Sequence, residues 1–495
     1  MNKKDTTQEH INKIIEFRQA IHADGFGKER DALSEALDAL CLTGSLSSFP
    51  LLSLSKVFRR QWYSLYKAVE RGRVRDEWLS QHLAQQVPQA GIQYYSLDSS
   101  AWARPRARTM DDRQYVYHPT AAVKGGSICI GYPYSLLDWV PQTHCSWSLS
   151  VSIKRIPSKT TAGEMGIAQI KELSRNRAEL QQGLDIVAAN GKYGNARFLR
   201  PLQGQNCGIV VRLRQDRVLY REPEQPRKRQ RGRPRVHGER FAFKEPATWK
   251  TPEEVTSFEH AKLGRVKLEC WNELHGKQDA DVPIDVIRAS IHLEKDKPPK
   301  PIWIGWQAPD EVPENLNIDA QVIWNAYIHR WPVEPGIRFR KQHLAWTTPQ
   351  FQHKEIGDRW SWLVALAVWL LYLSRPIVKD HPLPWQKPQS QLTPQRVQQS
   401  LPLIFAQFGS PARKPKTRGK SPGWQKGRQR TPKLRFNVVK KQPVSAARPR
   451  KTSKAFTART NRKRRAQEEP RTNRSTTTRR TSSSPIAPTA RTSSS

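Results

Sequence analysis

Glu334 is the acid around which the chemistry of this chain gathers. It closes the stretch Tyr327-Ile328-His329-Arg330-Trp331-Pro332-Val333-Glu334, and with Lys341 it completes the spacing Y-x2-R-x3-E-x6-K. Offsets of three, seven and fourteen residues from Tyr327 fall on one face at the helical period. Such a face sets a carboxylate among two cations and a phenol. A carboxylate can hold a divalent metal, and Arg, Lys and Tyr can hold a phosphate chain. The mixture suits a nuclease working on DNA. Any two of these residues alone would read as a surface helix with i,i+4 charge pairs. Pro332 and Pro335 flank Glu334 and break helix continuity. They put Glu334 at a kink, or at the start of a second helix with Pro335 in its first turn.

Two other positions carry comparable chemistry. Ile92-Gln93-Tyr94-Tyr95-Ser96-Leu97-Asp98 alternates like a strand that ends on an acid. Alone, a strand-terminal Asp is more often a turn or cap residue than a catalytic one. Leu184-Asp185-Ile186-Val187-Ala188-Ala189 is a short apolar strand broken by Asn190-Gly191. Asp185 lies five residues before Asn190, and an odd offset on a strand points to the opposite face, so it does not substitute there.

Tyr327, Arg330, Glu334 and Lys341 match the Y-R-E-K signature, and here the sequence resembles the bacterial insertion-sequence transposases of the DDE class. The likeness continues through Arg338-Phe339-Arg340-Lys341-Gln342 and Asp358-Arg359-Trp360. It also takes in Pro382-Leu383-Pro384-Trp385-Gln386-Lys387 and Arg418-Gly419-Lys420-Ser421-Pro422-Gly423-Trp424. It spans about residues 30 to 441. The resemblance implies a ribonuclease-H-like core in which three carboxylates converge on two Mg²⁺ or Mn²⁺ ions for an in-line displacement. It assigns the first acid to Asp98 and the third to Glu334. At the second, the family pattern Asp-Gly-x-Tyr-Gly is matched by Asn190-Gly191-Lys192-Tyr193-Gly194, with Asn in place of Asp. An Asn carbonyl can ligate a hard cation but brings no negative charge, so metal affinity and rate should fall sharply. The resemblance further implies double-stranded DNA, as transposon ends and target, and a homodimer on that DNA.

The elements that must position these residues follow from pattern and punctuation. The expected class is α/β. Residues 1–88 read as a helical N-terminal region, with Arg59, Arg60, Lys67, Arg71 and Arg73 on a basic stretch. That region is either a DNA-binding part, as the resemblance favours, or a helical cap with a basic face. Residues 89–222 form the first part of the core, with the helix Ala162 to Gln182 between strands. Residues 223–306 are a mostly β insertion, residues 307–380 the returning helical part of the core, and residues 381–410 a Pro-rich connection. The apolar run Trp362 to Leu373 is too short to span a bilayer and reads as a buried core helix.

The 495 residues carry 84 Lys+Arg against 44 Asp+Glu, a formal +40, which implies a polyanionic partner. Residues 411–495 hold 26 Lys and Arg and two acids, so the remaining +16 belongs to the rest of the chain. This tail has few large apolar residues and is expected to be disordered. Arg231-Gly232-Arg233-Pro234-Arg235 has the form of an AT-hook core, able to place guanidiniums in an A·T minor groove. It reads equally well as a basic flexible loop. Five scattered cysteines without a CxxC argue against a disulfide framework and a zinc ribbon. The polar start has no apolar h-region. A cytoplasmic, nucleoid-associated protein without a membrane partner is expected. Two functions fit: an active DDE transposase, or a catalytically inactive DNA-binding derivative that inhibits or regulates transposition. Asn190 favours the second, and Asp98, Glu334 and the signature favour the first. An architectural DNA binder is the weaker third, since it would not need the long α/β body.

Overall fold

The computed structural model describes residues 3–117, 128–143, 145–179, 182–223, 235–292, 299–416, 423, 425–429 and 431–441. The chain divides into one compact unit, Met1–Lys441, and a second, Gln442–Ser495, which lies outside the described residues.

Four α-helices come first: α1 (Lys3–Ala20), α2 (Arg30–Leu42), α3 (Trp62–Arg71) and α4 (Asp76–Gln85). Arg59 and Arg60, expected on an exposed basic face, are instead engaged internally. Arg59 binds Glu35 at 2.8 Å and the Ala412 carbonyl at 2.8 Å, and Arg60 binds Glu35 at 3.3 Å. The Glu35 carboxylate is fully buried, and a buried charge is tolerated only when paired. Both arginines are thereby committed to holding the helices to residues 412–413.

The sheet begins with β1 (Ile92–Ala103), β2 (Gln114–Tyr117), β3 (Ile128–Trp139) and β4 (Leu149–Arg155). The helix α5 (Ala162–Arg177) follows, then β5 (Leu184–Ala189), the short α6 (Ala196–Leu199) and β6 (Cys207–Leu213). β3 pairs antiparallel with β4 and with β1, while β5 runs parallel to β1 and to β6. The order β4-β3-β1-β5-β6, three antiparallel strands continued by two parallel ones, is ribonuclease-H-like. All six residues of β5 are buried, as expected of a central strand covered on both faces. α5 starts where a capping box demands it: the Thr161 hydroxyl accepts from Glu164 N–H, and the Glu164 carboxylate accepts from Thr161 N–H. β1 departs from expectation. It runs five residues past Asp98, because Ser99 to Ala103 continue the ladder with β3 down to Gly131.

The β-rich stretch supplies β7 (Val218–Tyr220), β8 (Arg240–Ala242), β9 (Glu254–His260), β10 (Gly264–Gly276), β11 (Asp279–His292) and β12 (Ile302–Gln307). These strands extend the core sheet, since β12 pairs antiparallel with β6. Among the described residues the sheet has twelve strands. Helices α7 (Ala320–Ile328), α8 (Val333–Gln342), α9 (Lys354–Ser374) and α10 (Pro394–Ser400) complete the unit. α9 is apolar and long enough to cross a membrane by composition, but most of it is buried inside the protein. Trp360, Leu363, Leu366 and Trp369 have no exposed surface.

Part of the tail expected to be disordered is ordered. Residues 411–416 and 431–441 are described, and Val439 forms a parallel bridge with Gln114 at the free side of β2. Backbone hydrogen bonds fix this stretch, and composition does not report them. The rest of the tail lies outside the described residues, as do Arg231 and Arg233 of the hook-like motif. Arg235 is described and exposed, in the irregular chain before β8.

Candidate active site

Asp98 sits mid-strand on β1 opposite Leu136 of β3. Its Oδ1 accepts from the Ser99 N–H at 2.7 Å and from Asn190 Nδ2 at 3.1 Å. The parallel register Leu97↔Ala189 delivers Asn190 there, one residue beyond the end of β5. Asn190 also shapes its own turn. Its Oδ1 accepts from the Lys192 N–H at 3.0 Å, and its carbonyl accepts from the Tyr193 N–H at 3.0 Å. Tyr193 is buried against Phe198, with ring centroids 5.0 Å apart. Gly194 lies so close to the Arg212 carbonyl that a Cβ would come within 2.5 Å.

These bonds settle which way the amide faces. A reversed amide would set Oδ1 against the Asp98 carboxylate and Nδ2 against the Lys192 N–H, with two repulsions in place of two hydrogen bonds. The side chain therefore offers Asp98 a donor and keeps its oxygen inside the turn.

Glu334 arrives on α8. The signature does not occupy one continuous helix: α7 ends at Ile328 and α8 starts at Val333, with 3₁₀-type bonds such as Trp331 N to Ile328 O at 2.9 Å between them. Glu334 and Pro335 fall in the first turn of α8, where the missing proline N–H costs no helical bond. α8 packs on β1 and β4. Gly336 makes this possible, since a Cβ there would come within 2.1 Å of Ser148 Oγ. Arg340 fixes the seat. Its fully buried guanidinium meets Asp138 of β3 at 2.8 Å and the Ser148 carbonyl at 2.5 Å. Asp138 also accepts from Ser150 Oγ at 2.6 Å. Sequence reasoning missed this pair. Arg340 belongs to a quoted motif, but nothing local names a partner 202 residues away in the chain.

Charge gathers at Asp98. Burial pushes its carboxyl above the usual range, and repulsion from Glu334 and Asp138 adds to this. The Ser99 N–H bond and the Arg330 guanidinium act in the opposite direction. Arg330 lies over the Tyr327 ring, 5.7 Å from its centroid. Lys192 is also within electrostatic reach of Asp98. Asp98, Asn190, Glu334 and Arg330 are thus brought together, with Tyr327 beneath Arg330. Lys341 is not part of this group. It lies near Cys129, seven residues along β3 from the partner of Asp98. Asp185 is buried and engaged by Arg177 at 2.8 and 3.2 Å, so it is not available as a replacement acid.

The set does not fit a pair of divalent ions. It offers two carboxylates, and the third side chain points an N–H where a ligand oxygen would be needed. Among the described residues no group of three or more His, Cys, Asp or Glu could hold a metal.

A family model described as DDE superfamily endonuclease matches residues 23–272. The matched stretch runs from the N-terminal helices into β10 and takes in Asp98 and Asn190, while Glu334 lies beyond it. Among solved structures, a piggyBac transposase synaptic complex with hairpin DNA is similar at a TM-score of 0.37 and 12% identity. The match covers 82% of this chain and 77% of that one, a likeness too distant to carry an assignment. No curated protein matches. With just over half of its length matched, on a sheet of ribonuclease-H-like order, this chain belongs to the DDE superfamily endonucleases.

Proposed function

We propose that this chain is a transposase-type protein that binds double-stranded DNA at transposon ends, with strand cleavage impaired by Asn190. The observation that supports this most directly is the 3.1 Å hydrogen bond from Asn190 Nδ2 to Asp98. It occupies an oxygen of the first acid and supplies no charge of its own. Divalent ions bound at such a site would stabilise the attacking and leaving oxygens of a phosphodiester. The residues proposed for that chemistry are Asp98 and Glu334, with position 190 as the third. Arg330 is proposed to hold a phosphate beside the acids. Tyr327 supports Arg330 from below, and Lys341 contacts DNA farther along α8. Arg231, Arg233 and Arg235 are proposed to contact A·T-rich duplex. Such a protein would act as a homodimer on DNA and would compete with active copies for their ends.

The experiment compares the unaltered chain, Asn190→Asp, and Asn190→Asp with Glu334→Gln on duplexes from the DNA flanking its gene. All three should bind. In Mg²⁺ or Mn²⁺ only Asn190→Asp should nick at the ends, with cleavage at least about a hundredfold above the other two, the size of effect expected from one electrostatic catalytic group. Equal Mg²⁺-dependent cleavage by the unaltered chain would sink the proposal of impairment. Were Asn190→Asp to bind yet stay silent, the assignment of position 190 would fail.

A further inference from the structure

Residues 431–441 form a strap held by its backbone. Phe436 N–H donates to the Arg108 carbonyl and Val439 N–H to the Arg113 carbonyl, each at 2.8 Å. The buried Arg113 guanidinium donates to the Phe436 carbonyl at 3.0 Å and is itself held by the Met110 and Pro105 carbonyls at 3.2 Å each. At its far end, Lys441 Nζ donates to the Thr160 carbonyl at 2.7 Å, just before α5. The seat is thus made of main chain and one guanidinium, and it leaves the strap's side chains outside. Leu434 is 78% exposed and Phe436 41%. Lys433, Arg435, Lys440 and Lys441 are exposed, and the strap contains no acid.

Its direction gives this charge a use. The strap runs along the free side of β2 and brings Lys441 within electrostatic reach of Lys192. Lys192 in turn is near Asp98. Two like charges from distant parts of the chain therefore stand together beside the acids, an arrangement that disfavours itself unless an anion joins it.

We propose that residues 431–441 are a built-in rail for the DNA backbone, with Lys192 and Lys441 together binding a phosphate next to the Asp98 site. This rests on the DNA-binding function proposed above and adds the path that the duplex takes. Backbone contacts position a duplex without reading its sequence, so the rail would serve transposon ends and target alike.

The test uses the full chain and a 30-bp duplex of arbitrary sequence. Lysine acetylation followed by mass spectrometry, with and without DNA, reports which amines the duplex covers. Binding measured across a salt series reports how many phosphates are neutralised. Lys192 and Lys441 should be protected. The variant Lys433→Gln, Arg435→Gln, Lys440→Gln and Lys441→Gln should flatten the log–log salt slope by about 3 to 4, at roughly 0.9 per lost phosphate contact. Its melting temperature should be unchanged, since these side chains lie outside the seat. If DNA binds but Lys192 and Lys441 remain reactive and the slope does not move, the rail is wrong while the DNA-binding function stands. If no duplex binds even at low salt, the DNA-binding function itself fails and the rail with it.

Discussion

At the scale of the residue, the Asn190 amide does in neutral form what a cation would do for an aspartate: it lets the side chain stand close to Asp98. Replacing it with Asp removes one donor and brings a second carboxylate to the same oxygen. Without metal, Asn190→Asp should therefore unfold at lower temperature, with a loss of about 1–3 kcal/mol from the broken bond and the repulsion. Millimolar Mn²⁺ should recover most of that in the variant and should leave the melting temperature of the unaltered chain in place. Calorimetry with and without metal decides it, and an equal metal response in both proteins would refute it. The pH dependence has a definite sign. Asp98 has its carboxyl raised by burial, and a raised folded value favours the protonated state, so its stability contribution is present in acid and is lost as pH rises through that folded value. A second carboxylate raises it further, so metal-free Asn190→Asp should lose more stability than the unaltered chain on going from acid towards neutral pH. The sequence made much of this visible. Asp98, Asn190 and Glu334 each follow from a local signal of alternation, Asn-Gly punctuation or motif spacing. The orientation of the amide does not, because it depends on a hydrogen bond between residues 92 positions apart.

At the scale of the element, α8 is placed by Arg340 and Gly336 more than by any apolar stripe. Arg340→Met would leave Asp138 charged, buried and without its cation, at a cost of about 3–5 kcal/mol. Adding Asp138→Leu should recover a large part of that, because no lone buried charge remains. Urea unfolding of the single and double variants measures this, and a double variant no better than the single would show that the pair does more than balance its own charge. The break between α7 and α8 was legible, since Pro332 and Pro335 announce it. The fate of Arg59 and Arg60 was not. A basic run reads as exposed charge, and only the fold reveals that Glu35 lies buried beneath it. β1 was expected to end at Asp98 because an acid usually marks a turn. The long ladder with β3 overrides that local preference.

At the scale of the whole molecule, the boundary between body and tail falls thirty residues later than composition suggests. Arg18 donates to the carbonyls of Phe408 and Gly409, and Arg59 and Arg60 to those of Ala412 and Arg413. A chain ending after residue 441 should keep the melting temperature of the full protein while binding DNA less tightly. A chain ending after residue 410 loses the strap and the Arg59 and Arg60 contacts, and should melt several degrees lower. Thermal unfolding of the two truncations checks this, and equal melting temperatures would mean that the strap and residues 411–416 contribute nothing to the body. Composition averaged over 85 residues concealed the strap, since four backbone-directed hydrogen bonds leave no mark in residue frequencies.

The Asn190-Gly191 turn also has a chemical lifetime. The Gly191 nitrogen is the atom that can attack the Asn190 amide carbon, closing a succinimide and expelling as ammonia the Nδ2 that binds Asp98. Hydrolysis of that ring yields aspartate or its isomer at position 190. The two hydrogen bonds that hold the amide, to Asp98 and from Lys192, restrain the side chain and should slow this ring closure in the folded protein. Ageing would then proceed mainly through molecules whose turn has opened. Each event that gave aspartate would convert a silent copy into one with a third carboxylate, so a stored sample would acquire activity with time rather than lose it.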